Sequence, residues 1–187
     1  MRARSALAAV ALACAAAMVA GPLPLRAQSP AEYEIKAAFL YNFAKFVQWP
    51  ASALAPQAPL TVCVIGRDPF GPALDTIDRK VAQGHELQVR RRARLEEARS
   101  CHILFVAESE RAAVPAILHA VQGAGVLTVS DIDRFAEAGG IIGLSDVDNK
   151  VQFSINLDRA HDDLLQINSQ LLKLAKIVGR SAREDSR

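Results

Sequence analysis

The first long patterned stretch lies between residues 31 and 47. Ile35, Phe39, Phe43 and Phe46 recur at spacings of four, four and three, and Leu40, Tyr41, Ala44 and Val47 widen that side. Such spacing predicts a helix with one apolar face. Trp49-Pro50 ends it, because the residue before a proline avoids the helical region. After a linker of Ala, Pro and Ser over 51–59, the period changes. Residues 60–66 form a continuous β-rich apolar run, the mark of a strand buried on both faces, and 102–106 and 126–130 repeat that character. Between these runs, Pro72 opens a predicted helix to about residue 82. Residues 87–92 alternate as an outer strand, and 95–99 make a helical turn. Ser109 caps a predicted helix to Gln122, closed by Gly123 and Gly125. A short helix is predicted over 133–138.

Strands alternating with helices predict an α/β fold, a three-layer α/β/α sandwich with a mostly parallel sheet. In the common doubly wound order 2-1-3, the first and third strands are neighbours. Toward the chain end, residues 141–147, Asp148-Asn149 and 150–157 read as a two-residue hairpin, placing antiparallel strands at the sheet edge. A last helix is predicted over 159–178, with Leu164, Ile167, Leu171, Leu174 and Val178 as its stripe. Residues 181–187 are polar and read as a disordered tail.

The opening residues change the picture of where this domain works. Arg2 and Arg4 precede an apolar run over 5–20, then Gly21, Pro22, Pro24 and the small residue Ala27. This is the order of a cleaved export signal. A membrane anchor is the alternative, but a spanning helix needs roughly 20 apolar residues; lipidation at Cys14 is another. The expected division is a signal over 1–27, one α/β domain over 28–180 and a tail over 181–187, with no membrane span after cleavage. A mature chain of about 160 residues is large enough for a real core.

Composition narrows the classes. The chain is 51% hydrophobic and 22% charged, with a net charge of +2. Arg2, Arg4 and Arg26 leave with the signal, so the domain is near neutral and shows no global footprint for nucleic acid or a membrane surface. One local basic run, Arg90-Arg91-Arg92-Ala93-Arg94, reads as a solvated strand edge or loop, or as a site for an anionic partner. Removing Cys14 leaves Cys63 and Cys101. An even pair in an oxidising compartment reads as one disulfide, closing a loop of about 38 residues for about 3–4 kcal/mol. Two buried free thiols are the alternative.

The catalytic search finds no serine elbow, zinc-protease motif, phosphate loop or dinucleotide fingerprint. His85, His102, His119 and His161 are scattered without metal-ligand spacing, and His102 reads as a packing residue. No catalytic residue, metal or cofactor is expected, and the chain does not read as an enzyme. In open α/β sheets a ligand lies beyond the carboxyl ends of the strands. Three turns meet that condition. They offer Arg67, Asp68 and Phe70; Glu108-Ser109-Glu110; and Ser130 with Asp131. Arg67, Asp68, Phe70, Ser130 and Asp131 are the candidate ligand- or partner-binding residues, with ordinary turn capping as the alternative. Asp131 with Asp133 is weak support for metal or acid–base work, and Asn156 reads as a structural hydrogen-bonder.

Several runs taken together resemble one family. They are the stretch from Tyr33-Glu34-Ile35-Lys36 through Phe46-Val47-Gln48-Trp49-Pro50, Val62-Cys63-Val64-Ile65-Gly66, Cys101-His102-Ile103-Leu104-Phe105 and Leu127-Thr128-Val129-Ser130-Asp131. The later runs are Gly139-Gly140-Ile141, Val151-Gln152-Phe153-Ser154-Ile155-Asn156 and Ile167-Asn168-Ser169-Gln170-Leu171-Leu172-Lys173-Leu174-Ala175. In order and content they resemble the YfiR-like family of periplasmic regulators. The resemblance implies a homodimeric periplasmic repressor that contacts the periplasmic domain of an inner-membrane diguanylate cyclase or sensor kinase. Such a repressor limits cyclic di-GMP and biofilm formation. The family's paired cysteines fall on Cys63 and Cys101; a second pair found in some members is absent here. A periplasmic small-molecule sensor using the strand-end loops is the alternative function.

Overall fold

A computed structural model describes residues 30–148 and 150–179. The expected signal over 1–27 and tail over 181–187 lie outside these residues. Helix α1 spans Pro30–Phe46 and runs straight into a two-residue strand, β1 (Val47–Gln48). The linker turns back, and β2 (Leu60–Ile65) is buried at every position. A single 3-10 segment, Gly71–Thr76, follows. The chain then forms β3 (Val81–Ala82) and β4 (His85–Ala93). The helix expected to reach residue 82 therefore stops early. Gln83 and Gly84, both at positive φ (+52° and +84°), make a two-residue hairpin loop with Ala82 facing His85, the geometry of a primed turn.

A 3-10 turn at Leu95–Ser100 leads to β5 (Ile103–Val106). The helix predicted over 109–122 is split. Glu108–Ala113 is 3-10, and α2 (Val114–Val121) carries Pro115 in its first turn, where a proline is suited. Ser109 caps nothing; its hydroxyl is used elsewhere. After β6 (Leu127–Ser130), residues 133–138 form turns rather than a helix, tied by Ala138 N–H to Arg134 O and Gly140 N–H to Phe135 O, both 2.9 Å. Strands β7 (Ile142–Val147) and β8 (Lys150–Asn156) form the predicted hairpin, with Val147 facing Lys150.

The last long helix does not form. In its place are α3 (Leu157–Asp162), β9 (Gln166–Ile167), α4 (Ser169–Leu172) and β10 (Lys176–Val178). Two asparagines explain the breaks. Asn156 Oδ1 accepts the Arg159 N–H at 3.1 Å and Asn168 Oδ1 accepts the Gln170 N–H at 2.8 Å, so each caps a new helical start. Between them Leu164 takes a φ of +58°, and β9 pairs with β1. Leu164 and Leu174 are 65% and 75% exposed, whereas Leu171 and Val178 are buried. The apolar spacing belongs to different elements that face different ways.

The eight-stranded sheet has the order β10-β8-β7-β6-β5-β2-β4-β3. Strands β4, β2, β5, β6 and β7 run parallel in sequence; β8 is antiparallel to β7, and β10 closes that edge parallel to β8. This is the α/β sandwich and the 2-1-3 neighbourhood expected, with the hairpin at one end. One face buries Val62, Val64, Ile103, Phe105, Leu127 and Val129 under α1; the other buries Cys63, Ile65, Leu104 and Val106 under α2. Phe43 anchors the first core, with ring centroids 6.0 Å from Phe39 and 5.5 Å from Phe153. A fully buried Phe of this kind is worth about 1.5–3 kcal/mol in removed surface.

The buried stripe of α1 is Tyr33, Lys36, Ala37, Leu40, Phe43 and Ala44, and Val47 of β1 continues it. Ile35, expected on the apolar face, is 47% exposed. The helix is rotated so that a lysine, not an isoleucine, lies inward.

Candidate functional site

Strands β2, β5 and β6 end level with one another: Ile65 faces Val106, and Val106 faces Ser130. Their turns therefore share one rim. Gly66 makes this possible. Its φ is +91°, and a Cβ there would sit 2.6 Å from both Ser109 Oγ and Glu110 Cγ; only glycine tolerates both demands. The Arg67 N–H then donates to Ser109 Oγ at 2.9 Å. Asp68 Oδ1 accepts the Phe70 N–H at 2.8 Å, an Asx turn. Its other oxygen accepts from Arg91 of β4, whose second arm reaches Asp75 at 2.6 Å.

Phe70 points inward, edge-on to Tyr33 (5.2 Å) and Phe105 (4.7 Å). Ser130 is buried; its hydroxyl donates to Val106 O at 2.7 Å and accepts the Ile132 N–H at 3.0 Å. It thus ties β6 to β5 and shapes the next turn. Asp131 lies under the start of α1. Its Oδ2 accepts from Lys36 Nζ at 2.6 Å and from the Tyr33 hydroxyl at 3.0 Å. Lys36 also pairs with Glu32 at 2.7 Å, and its Nζ stands 4.4 Å from the Tyr33 ring centroid. The side chains of Lys36 and Asp131 are 1% and 4% exposed. Burial, and then the charge and hydrogen bond of Asp131, push the Tyr33 phenol far above its ordinary range. It stays a protonated donor. Asp131 Oδ1 is buried, and no donor of the described protein reaches it.

Of the five expected residues, the rim thus gathers Phe70 and Asp131 around Tyr33. Asp68 is clamped by Arg91, Ser130 is internal, and Arg67 alone extends its side chain into solvent. Sequence reasoning missed Lys36, Tyr33 and Glu32. The signal was present: Lys36 falls on the Tyr33, Ala37, Leu40, Ala44 stripe, where a charge needs a partner.

A second constellation lies toward the opposite ends of the strands. Cys63 and Cys101 are joined by a disulfide with their Cα atoms 5.9 Å apart, both buried in the α2-side core. Next to it, His102 Nδ1 accepts the Thr61 N–H at 2.9 Å, and its Nε2 faces Ala53 O at 3.1 Å. That pattern fixes an Nε2–H tautomer donating to the linker. The Trp49 indole N–H donates to His102 O at 3.2 Å. Burial above all lowers the affinity of this imidazole for a proton.

Clefts of about 230 Å³ beside Gln48 and Gln83, about 380 Å³ beside Trp49, His161 and Leu164, and about 420 Å³ beside Arg134, Gln152 and Lys176 mark the surface. None of the three is lined by the five expected residues. Among the described residues no three His, Cys, Asp or Glu side chains gather as a metal site, and no helix is long and apolar enough to cross a membrane.

The class defined here is a doubly wound α/β domain with a buried ion-pair cluster at one rim and a disulfide from its first sheet-core strand to the turn before the third. The chain belongs to the YfiR/HmsC-like family, whose model matches residues 33–176. No curated protein matches the chain. A solved conserved domain protein from Vibrio cholerae O1 biovar El Tor superposes with a TM-score of 0.50 at 12% identity, covering 79% of this chain and 60% of that one. At that identity the likeness is one of fold. A Streptococcus pneumonia ABC domain in complex with L-Trp aligns more loosely, with a TM-score of 0.46, 12% identity and coverage of 68% and 58%. The chain spans 60% and 58% of the lengths of these two structures.

Proposed function

We propose that this chain is a non-catalytic periplasmic regulator. It restrains an inner-membrane signalling protein, a diguanylate cyclase, by contacting that protein's periplasmic domain, and so limits cyclic di-GMP and biofilm formation. It acts as a homodimer after its export signal is removed. The reading is carried by the family match, which runs from the first helix to the last strand of the described domain. The disulfide supports an oxidising compartment. The partner surface includes the strand-end rim, where Arg67 reaches solvent and Asp68, Phe70, Ser130 and Asp131 shape the rim from within. The test is genetic and chemical: deleting the gene raises cellular cyclic di-GMP, and the wild-type gene restores it. An unchanged level on deletion overturns the reading.

The buried, unmatched Asp131 Oδ1 favours a second reading, a small-molecule sensor at the same rim. A ligand N–H or ammonium reaching that oxygen stabilises the fold in proportion to RT ln(1 + [L]/Kd). Thermal-shift screening of amino acids and nucleotides reads this directly, and a screen without any upward shift removes it.

A further inference from the structure

Residues 51–59 pass from β1 to β2 as a strap across the end of the sheet where His102 lies. Among the described residues the strap's backbone–backbone bonds are local. Ala53 and Leu54 N–H donate to Pro50 O at 2.9 and 3.0 Å, and Ala58 N–H donates to Ala55 O at 3.1 Å. Two imidazoles tie it to the sheet. His85 of β4 donates from Nδ1 to Ala58 O at 2.7 Å, and His102 donates from Nε2 to Ala53 O at 3.1 Å. Ala53 also lies on Gly125, where a Cβ would stand 2.8 Å from its own, and Leu54 packs on the α1-side core.

The two ties answer a proton differently. A carbonyl only accepts, so His85 Nδ1 carries a hydrogen in either charge state of its ring, and that tie persists. His102 uses both nitrogens. Its Nδ1 accepts the N–H of buried Thr61 at 2.9 Å while its Nε2 donates to the strap. The ring thus stands in for a strand carbonyl at the first rung of β2, beside the bond from His102 N–H to Thr61 O at 2.9 Å. A doubly protonated ring has no acceptor. Its Nδ1–H would meet the Thr61 N–H donor to donor, so the ring has to leave that place and gives up Ala53 with it. Among the described residues the charges acting on the ring come from His85 and Arg90 of β4, and both oppose a positive imidazole. The other neighbours offer no carboxylate: Trp49 stands edge-on at 6.4 Å, and β6 donates Leu127 N–H to His102 O at 2.8 Å. Asp163, whose backbone borders Gly125, has its carboxylate engaged by Gly123 N–H at 2.6 Å.

We propose that residues 51–59 form an acid-released strap: a proton taken up by His102 frees the Ala53 end, while the His85 tie at Ala58 holds the other end as a hinge. Opening uncovers Trp49 and Leu54 and joins them to the cleft beside His161 and Leu164. Burial sets the release below the ordinary imidazole value of 6.5, so the strap is closed near neutrality and opens as pH falls.

Trp49 is the only tryptophan of the chain, so its fluorescence reads this seam alone. In the purified, oxidised protein, acrylamide quenching of Trp49 should rise about threefold from about pH 7.5 to about pH 5, with far-UV circular dichroism unchanged. His102→Gln should stay shielded at both, because its amide accepts from Thr61 and donates to Ala53 without titrating. His161→Gln should behave as the wild type, which separates a proton on His161 from one on His102. Hydrogen exchange of the wild-type Thr61 amide needs no variant: its protection, corrected for the intrinsic rate, should fall about tenfold at the lower pH while that of Val129 in β6 holds. A Trp49 that stays shielded, or a Thr61 that stays protected, at the lower pH overturns the proposal. So does a rise in quenching that His102→Gln retains or His161→Gln abolishes. A rise that comes with loss of circular dichroism is unfolding of the whole domain and overturns it as well.

Discussion

The two faces of the sheet are held by opposite kinds of chemistry. Under α1, the rim of the core contains a buried lysine between two carboxylates, with a phenol donating to one of them. Under α2, the core is apolar and is closed by a covalent bond between β2 and the turn that leads into β5. The first arrangement acts in the folded state and depends on every member being present. The second acts mainly on the unfolded chain, by shortening its reach. One face is therefore fragile to a single substitution and the other to a change of redox state.

The largest effect breaks the first face. Lys36→Met is expected to cost about 3–5 kcal/mol, because it leaves Asp131 and Glu32 charged beneath α1 without their cation. Urea unfolding measures this from the shift in midpoint at constant slope. Adding Asp131→Asn should recover more than half of the loss, since a neutral amide no longer needs the ammonium. A double variant as unstable as Lys36→Met alone would mean that lysine packing, not charge, is what α1 uses.

The next effect breaks the second face. Cys63→Ser/Cys101→Ser, or reduction of the native protein, is expected to cost about 3–4 kcal/mol. Intact mass should differ by two hydrogens between oxidised and reduced protein. Coupling between the two faces is expected to be small, because the cysteines and the Lys36 cluster share no partner. Strong non-additivity between Lys36→Met and reduction would show that the faces are one cooperative device.

The contrast also explains what the sequence could reveal. The buried strands were legible because β2, β5 and β6 are apolar at nearly every position, which few other structures need. The cysteine pair was legible because two cysteines in a chain that reads as exported have few options. Lys36 was overlooked although it falls on the Tyr33, Ala37, Leu40, Ala44 stripe, since the aromatic spacing of Phe39, Phe43 and Phe46 suggested a stripe that omits it. Only the partner, Asp131, far along the chain, decides the rotation of α1. The segment over 157–178 misled for a related reason. Leu164, Ile167, Leu171 and Leu174 keep helical spacing, but Asn156 and Asn168 act as caps, and β1 takes residues 166–167 as a strand partner. Pattern reports which residues are apolar; long-range hydrogen bonds decide which way they face. The rim candidates were legible as positions, through the strand ends, but not as roles. Ser130 and Phe70 are internal, and nothing local to either residue says so.

A smaller effect probes the seam where His102 joins the linker to β2 and β5. Its imidazole is neutral and half-buried, with its proton affinity lowered below the ordinary value of 6.5. The unfolded state then binds more protons than the native state as pH falls below 6.5, so stability should decline with acidity there. One such group gives at most about 1.4 kcal/mol per pH unit. Asp163 has the opposite sign: burial raises its carboxyl, so the native state holds the proton better, but it acts lower, in the carboxylate range. His102→Gln should flatten the slope below pH 6.5. An unchanged slope would move the pH sensitivity to another group.

The smallest effect asks whether the α1 face tolerates strain in the segment that flanks it. Leu164 adopts a φ of +58° yet leaves 65% of its side chain in water. A left-handed conformation costs an L-residue about 1–2 kcal/mol, and glycine avoids that cost while adding freedom to the unfolded chain. Leu164→Gly should therefore stabilise by about 0.5–1 kcal/mol, seen as a small rise in the urea midpoint. The side chain borders the cleft beside Trp49, Pro50 and His161. A loss of stability instead of a gain would mean that the leucine's contact with that cleft outweighs the strain of its backbone. The α1 face would then extend its apolar packing beyond the buried core to the rim of the short β1–β9 sheet.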